Sequence, residues 1–140
     1  GDIKVGVFGL GIELNGLVPE KLYGATKYLN PVPEANRVAN ILKYDEKCDY
    51  IICLSHLGYE YDDPKVSDVV LAQNTKSIDL ILGGHTHTFL KEPRLVENLD
   101  QKVVTINQAG WAGILLGQID LYFERNKKGK CVTCKNLQVG

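Results

Sequence analysis

The sequence predicts an α/β fold in which a parallel β-α-β-α-β unit is followed by antiparallel strands. Three short apolar runs rich in β-branched residues are typical of buried parallel strands: Ile3–Leu10, Tyr50–Leu54 and Ser77–Leu82. Helical patterns between these runs indicate right-handed crossovers on one sheet. After His87 the helical patterns end, which marks the change to antiparallel strands.

The first connection is predicted to combine a long loop with a helix. Glycine, proline and asparagine residues between Gly11 and about Val32 predict the loop. Pro33 is expected to begin the helix, because proline is tolerated in the first helical turn. Apolar residues at i, i+3, i+4 and i+7 predict one buried stripe, formed by Ala35, Val38, Ala39 and Leu42.

The second connection is predicted to be a helix with a defined start. Asp63 and Pro64 form an N-cap followed by a proline at the first helical position. The helix is expected to run to about Lys76, with Val66, Val69 and Val70 on its buried side.

Three strand-like segments follow without a helix between them: Lys102–Gly110, Gly113–Arg125 and Cys131–Val139. We expect them to close the sheet as antiparallel strands, with a hairpin turn at Asn126–Gly129.

Length and composition favour a single domain at residues 1–140 with an ordinary core. Of the 140 residues, 44% are hydrophobic and 24% charged, and the net charge is -1. No basic stripe predicts nucleic-acid binding, no apolar stretch predicts a membrane span, and no signal-peptide pattern is present. Because the chain lacks methionine and begins Gly1-Asp2, we expect a processed or excised piece of a longer protein.

The four cysteines do not form a metal-binding set. Cys53 lies in an apolar run and is expected to be an inert core residue. Cys131 and Cys134 have the spacing of half a zinc site, but no second pair completes it. Residues three apart on a straight strand point to opposite faces, which favours two ordinary cysteines, with a disulfide across a turn as the alternative.

The three histidines of the chain all follow predicted strands. His56 comes directly after the second strand, and His85 and His87 come after the third. Functional groups collect beyond the carboxyl ends of parallel strands. Gly83 and Gly84 allow a sharp turn, after which an extended His85–His87 segment would point both imidazoles to one side. The pattern therefore predicts a metal site, since neutral imidazole is a common metal ligand.

These segments carry a family resemblance. The sequence GGHTHT after the third strand, with CLSHLG upstream and INQAG downstream, resembles the C-terminal half of a calcineurin-like metallophosphoesterase domain, and in particular the bacterial 5′-nucleotidase and UDP-sugar hydrolase branch. The resemblance covers most of the chain. It implies half of an α/β/β/α sandwich, with the N-terminal half and the nucleotide-binding C-terminal domain absent.

The resemblance also implies a division of ligands. His56 and His85 would bind one metal of a dinuclear site and His87 the other, and the full-length protein would hold two divalent ions such as Mn, Zn or Fe. Such ions activate a water molecule and offset charge on a phosphate. The family's Asp-x-His, Gly-Asp-x-x-Asp and Gly-Asn-His-Glu/Asp motifs do not occur, so no catalytic residue is assigned within this chain. We expect the isolated chain to bind at most one metal weakly and to be inactive.

The expected substrate of the full-length protein is a nucleotide or sugar nucleotide. Candidate substrate-lining residues are Tyr59, Gln108, Gly110 and Trp111, although a tryptophan in the position of Trp111 is more often a core residue. The resemblance implies a periplasmic or cell-surface location. A half domain should also expose apolar surface and could self-associate through it.

Two other functions remain open from the sequence. The chain could be a non-catalytic α/β module that binds a small ligand or a partner. It could also be a mononuclear zinc hydrolase that uses only the three histidines and an open fourth position.

Overall fold

The computed structural model describes residues 2–123 and 130–139, the latter with backbone only at 130–132. A five-stranded sheet has the strand order β1-β2-β3-β5-β4, and β6 and β7 form a separate two-stranded sheet. The elements, in chain order, are β1 (Val5–Leu10), α1 (Glu20–Tyr23), α2 (Pro31–Asn40), a π-helical turn (Ile41–Asp45), β2 (Tyr50–Ser55), α3 (Asp68–Gln73), β3 (Leu80–Leu82), β4 (Arg94–Glu97), β5 (Val103–Asn107), β6 (Leu115–Tyr122) and β7 (Lys130–Gln138).

The predicted fold class is confirmed, with one change of strand direction. Strands β1, β2 and β3 are parallel and joined through α2 and α3, as the β-α-β-α-β pattern predicts. The prediction that only antiparallel strands follow His87 is wrong for β5, which pairs parallel to β3. An unpredicted edge strand, β4, precedes β5 and supplies the antiparallel pairing in the main sheet.

Both major helices pack on the same core cluster. Ala35 and Ala39 of α2 and Leu71 of α3 are completely buried against Cys53 and Ile81 of the sheet. A fully buried leucine or isoleucine such as Leu71 or Ile81 contributes roughly 1.5–3 kcal/mol relative to an exposed one. Burial also raises the pKa of the Cys53 thiol to about 12, which confirms the prediction of an inert core cysteine.

The helix starts differ from the predicted ones because other residues supply the caps. α2 begins at Pro31 instead of Pro33, since the Asn30 side chain accepts a hydrogen bond from the Val32 N–H. α3 begins at Asp68, where the Ser67 hydroxyl accepts from the Val70 N–H at 3.2 Å.

The predicted cap at Asp63 and Pro64 is wrong. Asp63 instead accepts from the Lys65 N–H in a local turn, four residues before the true cap. α3 is also shorter than predicted and ends at Gln73. Within the predicted loop, the short helix α1 (Glu20–Tyr23) was not anticipated.

Strand β1 is an edge strand with one exposed face, which corrects the prediction of a buried strand. Val5 is 42% exposed and Val7 is 52% exposed, and Leu54 of β2 on the same face is 48% exposed. At the start of β2, Tyr50 pairs with Val5 and its ring meets that of Phe123 edge to face.

The β6–β7 sheet is antiparallel and separate from the main sheet, so these strands do not close the main sheet by backbone pairing.

Cys134 is disulfide-bonded, contrary to the expectation of two ordinary cysteines. That expectation assumed a straight strand. The register between β6 and β7 instead shifts, because Asp120 pairs with position 133 and the next residue, Leu121, pairs with position 131. The predicted turn at Asn126–Gly129 lies outside the described residues. In the ranges given above, no helix is both long and apolar enough to cross a bilayer.

Candidate metal centre

Two histidines meet at the carboxyl edge of the parallel sheet, as the sequence predicts. His56 follows β2 directly, and its backbone N–H donates to the Leu10 carbonyl at the end of β1 (2.9 Å). His85 follows β3 after the Gly83-Gly84 turn. The two imidazole centroids lie 5.2 Å apart with ring planes inclined by 68°. Two independent strand ends therefore bring two potential ligands together.

Close packing surrounds both glycines of the turn and requires a glycine at position 83. A Cβ added at Gly83 would lie 2.1 Å from Asp68 Oδ2, and one added at Gly84 would lie 3.2 Å from His56 Nδ1. The first distance is far inside van der Waals contact, so only glycine fits at that position.

The backbone at His85 and His87 is left-handed, with φ of 71° and 53°. This corrects the predicted extended His85–His87 segment. Non-glycine residues adopt positive φ uncommonly, although histidine does so more readily than most. Conformations of this kind cost on the order of 1–3 kcal/mol and persist where the surrounding structure enforces them.

His87 contacts the neighbouring turn while remaining close enough to His85 to lower the pKa of His85. The His87 ring is stacked on Trp111, with centroids 5.8 Å apart and planes 10° apart. Trp111 is 58% exposed, so it is not the core residue considered as an alternative. His87 and Trp111 thus form an exposed aromatic pair beside the two inner histidines.

Gln108 lies beneath the histidine loop, with only 2% of its surface exposed. Its Oε1 accepts from the Thr88 N–H and the Thr86 hydroxyl, and its Nε2 donates to the Gly84 carbonyl (2.8 Å). Its substrate-lining role stays a prediction, and this position favours support of the loop instead.

The other two candidate lining residues also have structural contacts. Tyr59 packs against the core, and its N–H donates to the Thr86 hydroxyl at 2.9 Å. Gly110 has φ of 72° and donates its N–H to the Thr88 carbonyl. Phe89 occupies the space that a Cβ at Gly110 would need.

Asp68 is a buried carboxyl that the sequence did not single out. It is completely buried at the start of α3 and accepts from the Ser55 hydroxyl at 2.5 Å. Burial raises its pKa to about 7, and the Ser55 hydrogen bond only partly opposes that effect. The sequence signal was the Ser67-Asp68 pair, which the expected cap at Asp63 placed inside the helix.

The electrostatics of the site favour a neutral His85. Its pKa is lowered first by partial burial and then by the neighbouring His56, His87 and Lys65. Neutral imidazole is the form that binds metals.

The histidine pair fits part of a metal shell. His56 and His85 could bind one ion, with His87 adjacent. Among residues 2–123 and 130–139, however, no three His, Cys, Asp or Glu side chains form a group that could hold a metal ion. A structural or catalytic zinc takes at least three protein ligands, so further ligands are needed for a complete site.

A cavity of about 620 Å³ opens beside His85. Tyr28, Tyr61 and Lys65 contribute to its walls. The Lys65 ammonium lies 5.6 Å from the centroid of the Tyr61 ring and also pairs with Asp63 at 3.1 Å. His85 therefore borders a concave space whose walls include aromatic rings and a cation.

Comparisons with known proteins identify relatives of one enzyme class. No protein-family model matches the chain. The trifunctional nucleotide phosphoesterase protein YfkN of Bacillus subtilis is 36% identical over 138 residues, which cover 97% of this chain and 9% of that protein. An apyrase of Aedes albopictus is 31% identical over 150 residues, covering 91% of this chain and 26% of that protein.

Solved structures show the same class. A 5′-nucleotidase precursor from Thermus thermophilus superposes with a TM-score of 0.76 at 26% identity, covering 96% of this chain and 27% of that one. The calcineurin-like phosphoesterase YfkN of Bacillus subtilis superposes with a TM-score of 0.69 at 25% identity and is covered to 44%.

These relatives define the class that the chain resembles in sequence and fold: its homologues are 5′-nucleotidases and the calcineurin-like phosphoesterase YfkN. The chain spans less than half the length of each relative described above.

Proposed function

We propose that this chain is the C-terminal half of the catalytic domain of a metal-dependent phosphomonoesterase that acts on nucleotides or sugar nucleotides. The observation that carries the proposal is the contact between His56 and His85 at the carboxyl edge of the sheet, where their ring centroids lie 5.2 Å apart. Relatives described as nucleotide phosphoesterase, apyrase and 5′-nucleotidase align over nearly the whole chain.

In this proposal His56 and His85 bind one divalent ion and His87 contributes to a second. When bound, such ions stabilise negative charge on a phosphate and activate water. The residues of this chain would bind and orient: the lowered pKa of His85 favours its neutral form, and the buried Gln108 holds the loop that carries His85 and His87. The remaining ligands would come from the N-terminal half.

The half-domain proposal is supported by the uncovered face of the main sheet. Val5, Val7 and Leu54 leave apolar surface exposed at the β1 edge. A contiguous apolar surface of this kind is typical of an interface. We propose that the N-terminal half of the domain covers it.

The substrate proposal uses the cavity beside His85. Tyr28 and Tyr61 offer aromatic surface to a nucleoside, and Lys65 supplies a positive charge at the same wall. A periplasmic or cell-surface location is proposed from the relatives alone.

A three-histidine zinc hydrolase is not proposed. His87 stacks on Trp111, and in the described part of the chain it does not complete a three-ligand group with His56 and His85.

An activity assay on two forms of the protein tests this function. Phosphate release from AMP and UDP-glucose is measured with Mn²⁺ or Zn²⁺ for two proteins. The first is this chain, and the second is this chain extended at its N-terminus by the residues that its source gene encodes upstream. We expect turnover only in the extended form, and we expect His85→Ala to abolish it while the exposed Lys76→Ala control does not. Turnover by the short chain that His85→Ala removes would contradict the half-domain proposal.

A further inference from the structure

The Asp68 carboxyl lies between the two segments that carry the inner histidines. Its Oδ1 accepts from the hydroxyl of Ser55, the residue directly before His56. Its Oδ2 lies against Gly83, so closely that a Cβ there would come within 2.1 Å of it. One buried side chain from α3 therefore contacts the ends of both β2 and β3.

Asp68 Oδ2 has no hydrogen-bond partner among the described residues, although the side chain is completely buried. Leaving a buried polar atom unpaired is unfavourable, and an apolar residue at this position would avoid the penalty. Such a group is retained only where another requirement outweighs its cost. The contacts of Asp68 indicate that this requirement is the geometry of the strand ends.

Gln108, the residue directly after β5, completes the support. Its Nε2 lies 3.1 Å from the Cβ position built at Gly83 and donates to the Gly84 carbonyl. Its Oε1 holds Thr86 and Thr88, which flank His87. Two buried polar side chains, one from the start of α3 and one from the residue after β5, thus lie beneath the left-handed loop.

We propose that Asp68 is a positioning residue that sets the relative placement of His56 and His85 by holding Ser55 and abutting Gly83. The inference rests on the proposed function only in taking the two imidazoles as metal ligands. Support of ligand orientation by residues behind the ligands is a general requirement of metal sites.

The conservative variant Asp68→Asn should preserve this role. Its side-chain oxygen can still accept from Ser55, and its size is unchanged. Asp68→Ala removes both contacts. Ser55→Ala removes the hydrogen bond but leaves the carboxyl in place, and it serves as the second variant if Asp68→Ala does not fold.

The test is a metal-free NMR measurement on this chain. The nuclear Overhauser effect (NOE) between the ring protons of His56 and His85 reports their contact. We expect wild-type intensity in Asp68→Asn and at least a threefold loss in Asp68→Ala and in Ser55→Ala. Val104→Ala, a fully buried core position on β5, serves as the control for lost stability and should keep the NOE.

Wild-type NOE intensity in folded Asp68→Ala or in Ser55→Ala would overturn the proposal. An equal loss in Val104→Ala would also overturn it, because the effect would then follow from general destabilisation. Since neither metal nor substrate is used, failure of the proposed phosphoesterase function would leave this result unchanged, and the two can be distinguished.

Discussion

The imidazole rings of His56 and His85 meet edge to face, with centroids 5.2 Å apart. They come from the ends of two different parallel strands, so their contact depends on the register between β2 and β3. Gly84 lets the His56 ring lie directly against the turn that leads to His85. A local motif and the sheet topology are both needed to create this pair.

The pH dependence of stability should reveal the buried Asp68. Its pKa is raised to about 7 from an ordinary value of 3.8, so the folded protein keeps a proton that the unfolded chain loses. The contribution of Asp68 to the free energy of unfolding is therefore fully present below about pH 4 and is lost as the pH rises through about 7. The upper limit of this loss is on the order of 4 kcal/mol.

Urea unfolding of wild type and Asp68→Asn at several pH values measures this effect. We expect the free energy of unfolding of the wild type to fall relative to that of Asp68→Asn between about pH 4 and pH 7. The contribution of His85 has the opposite sign, because its lowered pKa costs stability at acid pH, but it is common to both proteins. Asp62→Asn, at an exposed position, is the control. Parallel curves for wild type and Asp68→Asn would refute a buried, proton-binding Asp68.

Trp111 should report the position of His87. It is the only tryptophan in the chain, and the His87 ring covers one of its faces. His87→Ala removes this cover, so acrylamide should quench the Trp111 fluorescence more efficiently, by roughly a factor of two. His56→Ala should leave quenching unchanged. If both variants quench like the wild type, His87 and Trp111 are not stacked in solution.

The fold was predictable where local patterns determine it. The apolar runs and the glycine-histidine turn place His56 and His85 at one edge, and the structure confirms that placement. The parallel direction of β5 was not predictable, because the pattern of Val103–Asn107 does not record which neighbour it pairs with. The exposure of Val5 and Val7 was also not predictable, because an apolar strand has the same sequence pattern whether or not a second layer covers it.

The supporting residues of the site were harder to predict than the histidines. Asp68 and Gln108 are polar residues whose importance comes from burial beneath a loop, and burial of a single polar side chain leaves no periodic signal. The left-handed backbone at His85 and His87 follows from the same packing and not from a glycine or asparagine at those positions.

The apolar face at the β1 edge should cause self-association of the isolated chain. Val5, Val7 and Leu54 are each more than 40% exposed on this face, at 42%, 52% and 48%. Sedimentation velocity should show a weight-average mass that rises with concentration, and Val7→Lys should reduce the rise. Tyr44→Lys, at an exposed site on the π-helical turn, is the matched control. A concentration-independent monomer would argue against an uncovered interface.

The central claim is that His56 and His85 are ligands to one metal ion, and calorimetric titration of this chain with Zn²⁺ tests it most directly. We predict one site, much weaker than a complete four-ligand zinc site, and no binding to the His56→Ala/His85→Ala double variant. His87→Ala should retain the site, because His87 is stacked on Trp111 outside the inner pair. Equal binding heats for wild type and the double variant would contradict the assignment of these two histidines.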